Sequence, residues 1–341
     1  MFNSFSIDNL PDAFLSAMRS RWPDAVKLRE PLSRHSTFGV GGPADLWLAA
    51  KTESDIIDVM ALARSYHIPT LVIGNGTNIL FSDAGFRGAV VKVSLESWDI
   101  QPNDDQETAR LTADAGVNLP ALVNLLAAEG WAGLEWGAGV PGSIGGAVVS
   151  NAGCHGACIA DTIQSARIMQ LRENSAPIVL ETPAKELELG YRRSKFRSRR
   201  EIAFTSDSIP IPPEPELVDP AEIIISAQFL LRKTDPKLLH NTVQEYRQRR
   251  KDTQPVQGSA GSVFKNPPKE YAGRLIEAAG LKGYCIGGAA LSEKHANFIV
   301  NMGGATAHDI IGLIALARKT VLDRFGIALE LEIELRGQWA D

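Results

Sequence analysis

Cysteine is the scarcest chemistry in this chain: Cys154, Cys158 and Cys285 are the only three in 341 residues, and no two form a CxxC pair. An odd count without paired spacing argues against a disulfide framework and a zinc site, and points to a reducing, cytoplasmic compartment. No stretch supplies the ~20 consecutive apolar residues that a membrane-spanning helix needs. The N-terminal MFNSFSIDNLPDAF has neither a basic start nor a continuous apolar segment, so it does not read as a secretory signal. Basic charge is not in excess either. The net charge of −5 gives no global attraction to nucleic acid or to an anionic membrane, so any anion site must be local. The six histidines show no HxxxH spacing, GKS and GKT are missing, and no serine sits in a GxSxG elbow. Those absences argue against a metal catalyst, a P-loop and a serine hydrolase.

The elements that remain predict an α+β fold. A short amphipathic helix is expected over 10–22. Thr52-x-x-Asp55 reads as a capping box, followed by Ile56, Ile57, Met60 and Ala63 at helical spacing. Strands are expected at 71–73, 89–93 and 111–115, then a helix over 119–129 stopped by Gly130. Further strands fall at 163–171, 178–180, 223–231 and 298–301, with helices at 236–251, 271–279 and 307–325. The chain end alternates, with Ile327, Leu329, Leu331, Ile333 and Leu335 against polar neighbours, which predicts one half-buried strand. Nothing in that period separates Glu330, Glu332 and Glu334. Between these regions Arg192, Arg193, Lys195, Arg197, Arg199 and Arg200 form a basic run, and Pro210, Pro212, Pro213, Pro215 and Pro220 follow. The prolines predict a long surface loop, and residues 197–200 read as a solvated face.

Two glycine-rich strips carry most of the chemical signal. Residues 139–153, GVPGSIGGAVVSNAG, hold Gly139, Gly142, Gly145, Gly146 and Gly153 without a single charge. Such a strip lets backbone approach a large cofactor and point N–H groups at its pyrophosphate; the alternative is a tight buried turn. Gly137-x-Gly139-x-x-Gly142 matches a dinucleotide fingerprint, but no β-branched strand precedes it, and Gly145-Gly146 stand where the helix should begin. Gly74-Asn75-Gly76-Thr77-Asn78 follows a predicted strand and can wrap phosphate oxygens or simply turn the chain. Gly258 to Pro267 adds Ser262, Lys265 and Asn266, a hydroxyl with an ammonium and an amide beside it. Arg192 is placed to clamp a carboxylate or phosphate.

Together these segments resemble the UDP-N-acetylenolpyruvoylglucosamine reductase family over about residues 28 to 337. The resemblance rests on His35-Ser-Thr-Phe-Gly-Val-Gly-Gly42, Gly74-Asn-Gly-Thr-Asn78, Val140-Pro-Gly-Ser-Ile-Gly-Gly-Ala147 with Asn151-Ala-Gly153, and Tyr191-Arg-Arg-Ser194. It continues through Gly261-Ser-Val-Phe-Lys-Asn-Pro267, Gly287-Gly-Ala-Ala290 with His295-Ala-Asn-Phe298, and Leu329-Glu-Leu-Glu332. It implies a two-part FAD-binding region of the vanillyl-alcohol-oxidase (PCMH) type plus a C-terminal α+β substrate domain. The implied parts are an N-terminal segment 1–27, FAD-binding subdomains 28–98 and 99–232, a substrate domain 233–325 and a returning strand 326–341. The implied reaction uses NADPH to reduce FAD, which reduces the enolpyruvyl ether of a UDP-sugar, UDP-N-acetylglucosamine enolpyruvate, at C3. Ser262 would then protonate C2 while Arg192 and Glu332 meet charge on the carboxylate.

By the same resemblance FAD lies against Gly74, Asn75, Gly76, Thr77, Asn78, Gly139, Val140, Pro141, Gly142, Ser143, Gly145, Gly146, Asn151 and Gly153. Tyr191, Arg250, Lys265, Asn266 and His295 are the expected substrate contacts, with no metal and no obligate protein partner implied. Only residues 232–257 separate the last strand of the FAD region from the serine motif, so the chain looks like the subclass without a tyrosine-bearing lid. The stretch 197–222 reads either as a disordered insertion or as a partial cover over the site.

Overall fold

The structure, a computed structural model, describes residues 10–172, 177–198, 218–219 and 221–339. The chain opens with α1 (Asp12–Arg21), β1 (Lys27–Pro31), β2 (Pro43–Ala50), α2 (Glu53–Ser65), β3 (Thr70–Ile73), β4 (Ile79–Phe81) and β5 (Phe86–Val93). A second stretch holds β6 (Trp98–Pro102), β7 (Thr108–Asp114), α3 (Leu119–Glu129), β8 (Trp131–Ala132), α4 (Ile144–Ser150) and the pair β9 (Gly153–Cys154) and β10 (Ala157–Cys158). It continues with β11 (Ile163–Gln170), β12 (Ile178–Pro183), α5 (Lys195–Ser198), β13 (Val218–Asp219) and β14 (Glu222–Lys233). Last come α6 (Pro236–Thr253), α7 (Ala272–Ala278), β15 (Cys285–Ile286), β16 (Ala289–Leu291), β17 (Ile299–Asn301), α8 (Ala307–Phe325) and β18 (Glu334–Arg336).

Local chemistry fixes the ends of several elements. Thr52 and Asp55 form the expected capping box of α2, each side chain meeting the other's backbone N–H. Asn118 Oδ1 accepts the Ala121 N–H at the start of α3, and Gly130, at φ 75°, turns the chain at its end.

The first sheet runs β1-β2-β5-β3-β13, parallel except for β1 against β2. Its central strands are buried on both faces, as parallel strands generally are. Leu46, Leu48, Val72 and Val91 enter the main core, while Trp47, Leu71, Ile73 and Val90 fill a smaller core with Phe81 on the other face. The second sheet, β12-β11-β14-β7-β6, is antiparallel and shares the main core.

A third core gathers residues from 260 onward, yet it also includes Phe38, Val40 and Leu80 from the first region. The C-terminal region is tied there twice more. Strand β18 pairs in parallel with β4, and Asp83 accepts the N–H groups of Ala307 and His308 at the start of α8.

Two expectations need correction. The charged helix expected to open the C-terminal region, α6, packs on α3, because its buried Leu239 and Val243 form a narrow stripe that completes the main core. The chain end is not one strand. Leu331 bridges Phe264, residues 332–333 bend, and only then does β18 begin, so two different partners pull the chain apart at Glu332. Most of the proline-rich stretch, residues 199–217 and Pro220, lies outside the described residues, and so does its expected role in covering the site.

Candidate active site

A cavity of about 530 Å³ lies where the three regions meet. One wall is residues 74–78, the turn after β3, with residues 139–143, Gly145 and Gly146. These two strips touch. A Cβ on Gly74 would stand 2.6 Å from Ser143 Oγ, and one on Gly76, at φ 62°, would stand 1.9 Å from the His35 carbonyl oxygen. Bare backbone is therefore required at Gly76, and at Gly74 a side chain would displace the Ser143 hydroxyl. Contrary to the sequence reading, a helix does follow Gly142: Gly145 and Gly146 form the first turn of α4, and Ser143 Oγ accepts the Gly146 N–H. The preceding strand of a dinucleotide fold is missing, and a short 3₁₀ turn at Glu135–Gly137 stands in its place.

The facing wall carries charge. Arg192, at φ 52°, donates from Nη2 to the Gly153 carbonyl at 2.9 Å, and its Nε lies 2.5 Å from Glu332 Oε1. Glu332 sits at the bend and is held there by three separate segments. Its N–H donates to the Val263 carbonyl at 2.7 Å, next to Ser262. Its carbonyl accepts from Asn78 Nδ2 at 2.9 Å and from Arg197 Nη2. Burial pushes the Glu332 carboxyl above its ordinary range, while the guanidinium groups of Arg192 and Arg197 and the Lys265 ammonium pull it back. The glutamates that periodicity left equivalent now differ: the Glu330 side chain is 73% exposed, whereas those of Glu332 and Glu334 are 15% and 13% exposed and differ in partner, Arg192 for Glu332 and Arg336 for Glu334. Ser262 follows Gly261, at φ 77°, bridges Phe298 and lines the same cavity.

Arg192, Ser262 and Glu332 thus meet in one cavity with residues 74–78, 139–143, Gly145, Gly146 and Gly153. Asn151 does not join them. It is buried, donating to the Gly190 carbonyl and accepting the Ala160 N–H, so it ties the glycine strip to the arginine segment instead of facing the cavity. Arg250 reaches the cavity from α6, beside Gly139 and the Cys154 thiol, and burial lowers its pKa.

Four expected substrate contacts stand behind or beside the lining. The Tyr191 hydroxyl accepts the Asn266 N–H at 3.3 Å, and Asn266 Oδ1 takes the Ala272 N–H at the start of α7. Lys265 Nζ lies 3.5 Å from Glu330, and His295 packs at 4.8 Å from the Phe298 ring, where burial lowers its pKa.

The sequence names two residues without showing what they do. Arg197, read as part of a solvated face, is only 3% exposed, because buried Ser194 and Phe196 turn this segment inward. No pattern in the basic run singles it out. Asn78, expected as a cofactor contact, spends its side-chain amide on Glu332, a contact across 254 residues of sequence. Among the described residues no group of three or more His, Cys, Asp or Glu could hold a metal ion, and no helix is long and apolar enough to cross a membrane.

Comparison with known proteins agrees with this geometry. Residues 44–173 match the FAD binding domain family, and residues 254–336 match the C-terminal domain of UDP-N-acetylenolpyruvoylglucosamine reductase. The UDP-N-acetylenolpyruvoylglucosamine reductase of Chloroflexus aggregans is 39% identical over 318 residues, covering 93% of this chain and all of that protein. That of Lachnoclostridium phytofermentans is 39% identical over 316 residues, covering 92% of this chain and 94% of that protein. The crystal structure of the Thermus caldophilus reductase superimposes with a TM-score of 0.69 at 32% identity, covering 91% of this chain and 98% of that one. The fold is accordingly an FAD-binding region followed by a C-terminal α+β domain. The chain is an FAD-dependent oxidoreductase and belongs to the UDP-N-acetylenolpyruvoylglucosamine reductase family.

Proposed function

We propose that the protein reduces UDP-N-acetylglucosamine enolpyruvate to UDP-N-acetylmuramate in peptidoglycan precursor synthesis, with NADPH as the electron donor. The observation that carries this reading is the meeting of Arg192, Glu332 and Ser262 in one cavity with the two glycine strips.

The residues present fit FAD. A neutral backbone wall suits a large planar cofactor and its pyrophosphate, and Gly142, at φ 148°, keeps backbone bare beside Thr77. Bound FAD, reduced by NADPH, supplies the hydride that adds to C3 of the enolpyruvyl group.

The chain's own side chains then handle charge and proton. Addition at C3 builds negative charge at C2 and on the adjoining carboxylate. Arg192 meets that charge with a guanidinium already oriented by Glu332 and by the Gly153 carbonyl, so little reorganisation is needed as the charge develops. Glu332, desolvated and held at its main chain, works with Arg192 on the carboxylate side. Ser262, set on the turn after Gly261, delivers the proton to C2. Substrate enters past Arg250, Tyr191 and the segment carrying Lys265 and Asn266, and the Arg250 and Lys265 cations suit the UDP phosphates.

Anaerobic stopped-flow spectroscopy tests the assignment. The purified protein should be yellow, NADPH should bleach it, and the enolpyruvyl nucleotide should restore the colour much faster than O₂ does. Reoxidation by O₂ alone would replace the reductase reading with an oxidase one.

A further inference from the structure

Arg197 is a buried arginine that the reaction sketched above does not use. It is 3% exposed, and its Nη1 is buried without a hydrogen-bond partner among the described residues. Burying a guanidinium is costly, and leaving one nitrogen unpaired adds to the cost, so a residue of this kind needs an offsetting role. Its one described side-chain hydrogen bond goes from Nη2 to the Glu332 carbonyl. That carbonyl lies at the bend where the chain stops pairing with Phe264 and starts pairing with β4.

We propose that Arg197 is the positioning residue for Glu332: it fixes the bend so that the Glu332 carboxyl meets Arg192 inside the cavity. The inference rests on the reductase reading for its kinetic consequence but not for its structural one. Asn78 also donates to the Glu332 carbonyl, yet it brings no charge. Arg197 adds a third cation to the side where Arg192 and Lys265 already face the carboxyl. The tie has a geometric logic as well. Arg192 and Arg197 stand on the same short segment, five residues apart, one holding the side chain of Glu332 and the other its main chain. Together they keep the carboxyl and its guanidinium partner in one fixed relation, which a charge-stabilising site requires.

The test uses Arg197→Met, which keeps length but loses charge and donors, and Arg197→Lys, which keeps charge without the planar fork. Both should bind FAD and bleach with NADPH within about twofold of the natural protein. Reoxidation by the enolpyruvyl nucleotide should slow about 100-fold in Arg197→Met and about 10-fold in Arg197→Lys. Crystals of cofactor-free Arg197→Met should show the 2.5 Å contact between Arg192 Nε and Glu332 Oε1 broken. Retention of that contact overturns the proposal whatever the rate, and so does reoxidation of Arg197→Met at the natural rate. If Arg197→Met does not fold, Arg197→Lys is judged by the same criteria; failure of both to fold makes the residue merely structural and overturns the proposal. If the unmodified protein is not reoxidised by the enolpyruvyl nucleotide, the reductase reading fails while the crystal comparison still decides the role of Arg197.

Discussion

The two walls of the cavity are made of opposite materials and depend on different parts of the chain. On one side residues 74–78 and 139–146 present backbone, and their shape is enforced by what any added atom would strike. On the other side Arg192, Ser262 and Glu332 present side chains, and their placement depends on hydrogen bonds between segments as far apart as Asn78 and Glu332. The first wall is a local solution, written into a few residues of glycine-rich turn. The second exists only when three regions of the fold have docked. The backbone wall suits holding a cofactor that must be bound throughout the catalytic cycle, and the charged wall suits acting on a substrate that comes and goes. Damage to one wall should therefore be separable from damage to the other.

The largest expected effect attacks the backbone wall. Gly76→Ala puts a methyl 1.9 Å from the His35 carbonyl at a φ of 62°, where the left-handed backbone alone costs about 1–2 kcal/mol before the overlap is relieved. Flavin content measured by absorbance and stability measured by urea unfolding should fall together, and both half-reactions should fall with them. Next comes the charged wall. Glu332→Gln should leave flavin content and NADPH bleaching within about twofold and slow reoxidation by the enolpyruvyl nucleotide about 100-fold. Equal loss in both half-reactions would erase the distinction between the walls. A smaller effect belongs to the residue that joins them. Asn78→Ala removes one hydrogen bond to the Glu332 carbonyl, worth about 1 kcal/mol, so reoxidation should slow about fivefold in stopped-flow traces.

The smallest effect concerns pH. Burial lowers the pKa of His155 and of His295, so the unfolded chain binds protons to these residues more readily than the folded one. Their contribution to stability is intact above the unfolded histidine value of about 6.5 and is lost as pH falls below it. Unfolding midpoints measured down through that window should drop, and His295→Gln should flatten the drop. A midpoint that rises as pH falls from 6.5 would reverse the sign of the argument.

How much of this could be read from residues follows the same division. The helix over 119–129 was legible to the residue because Asn118 and Gly130 mark its ends by local chemistry. The glycine strips were legible because dense glycine in a neutral stretch is costly without a close approach. The helix over Ile144–Ser150 was misread by treating glycine as a helix breaker where tight packing of Gly145 on Ala115 requires it. On the charged wall Arg192 and Ser262 stood out by residue type, whereas Glu332 was legible only through resemblance. Strand periodicity made Glu330, Glu332 and Glu334 equivalent, and it is the bend between two pairing partners that sets Glu332 apart. Arg197 looked like one more surface cation, because its burial depends on where Ser194 and Phe196 find their partners. Likewise α6 carried a charged surface that hid its two core residues, Leu239 and Val243.

The division between the walls is tested most directly by anaerobic stopped-flow absorbance on Ser262→Ala. The serine lies outside both glycine strips in sequence and lines the cavity they share. The account predicts normal flavin content, NADPH bleaching at the unmodified rate, and formation of the lactyl ether product slowed by about 10²–10⁴-fold, the usual contribution of a positioned acid. Product formation at the unmodified rate would contradict it, and so would loss of bleaching in parallel with loss of product.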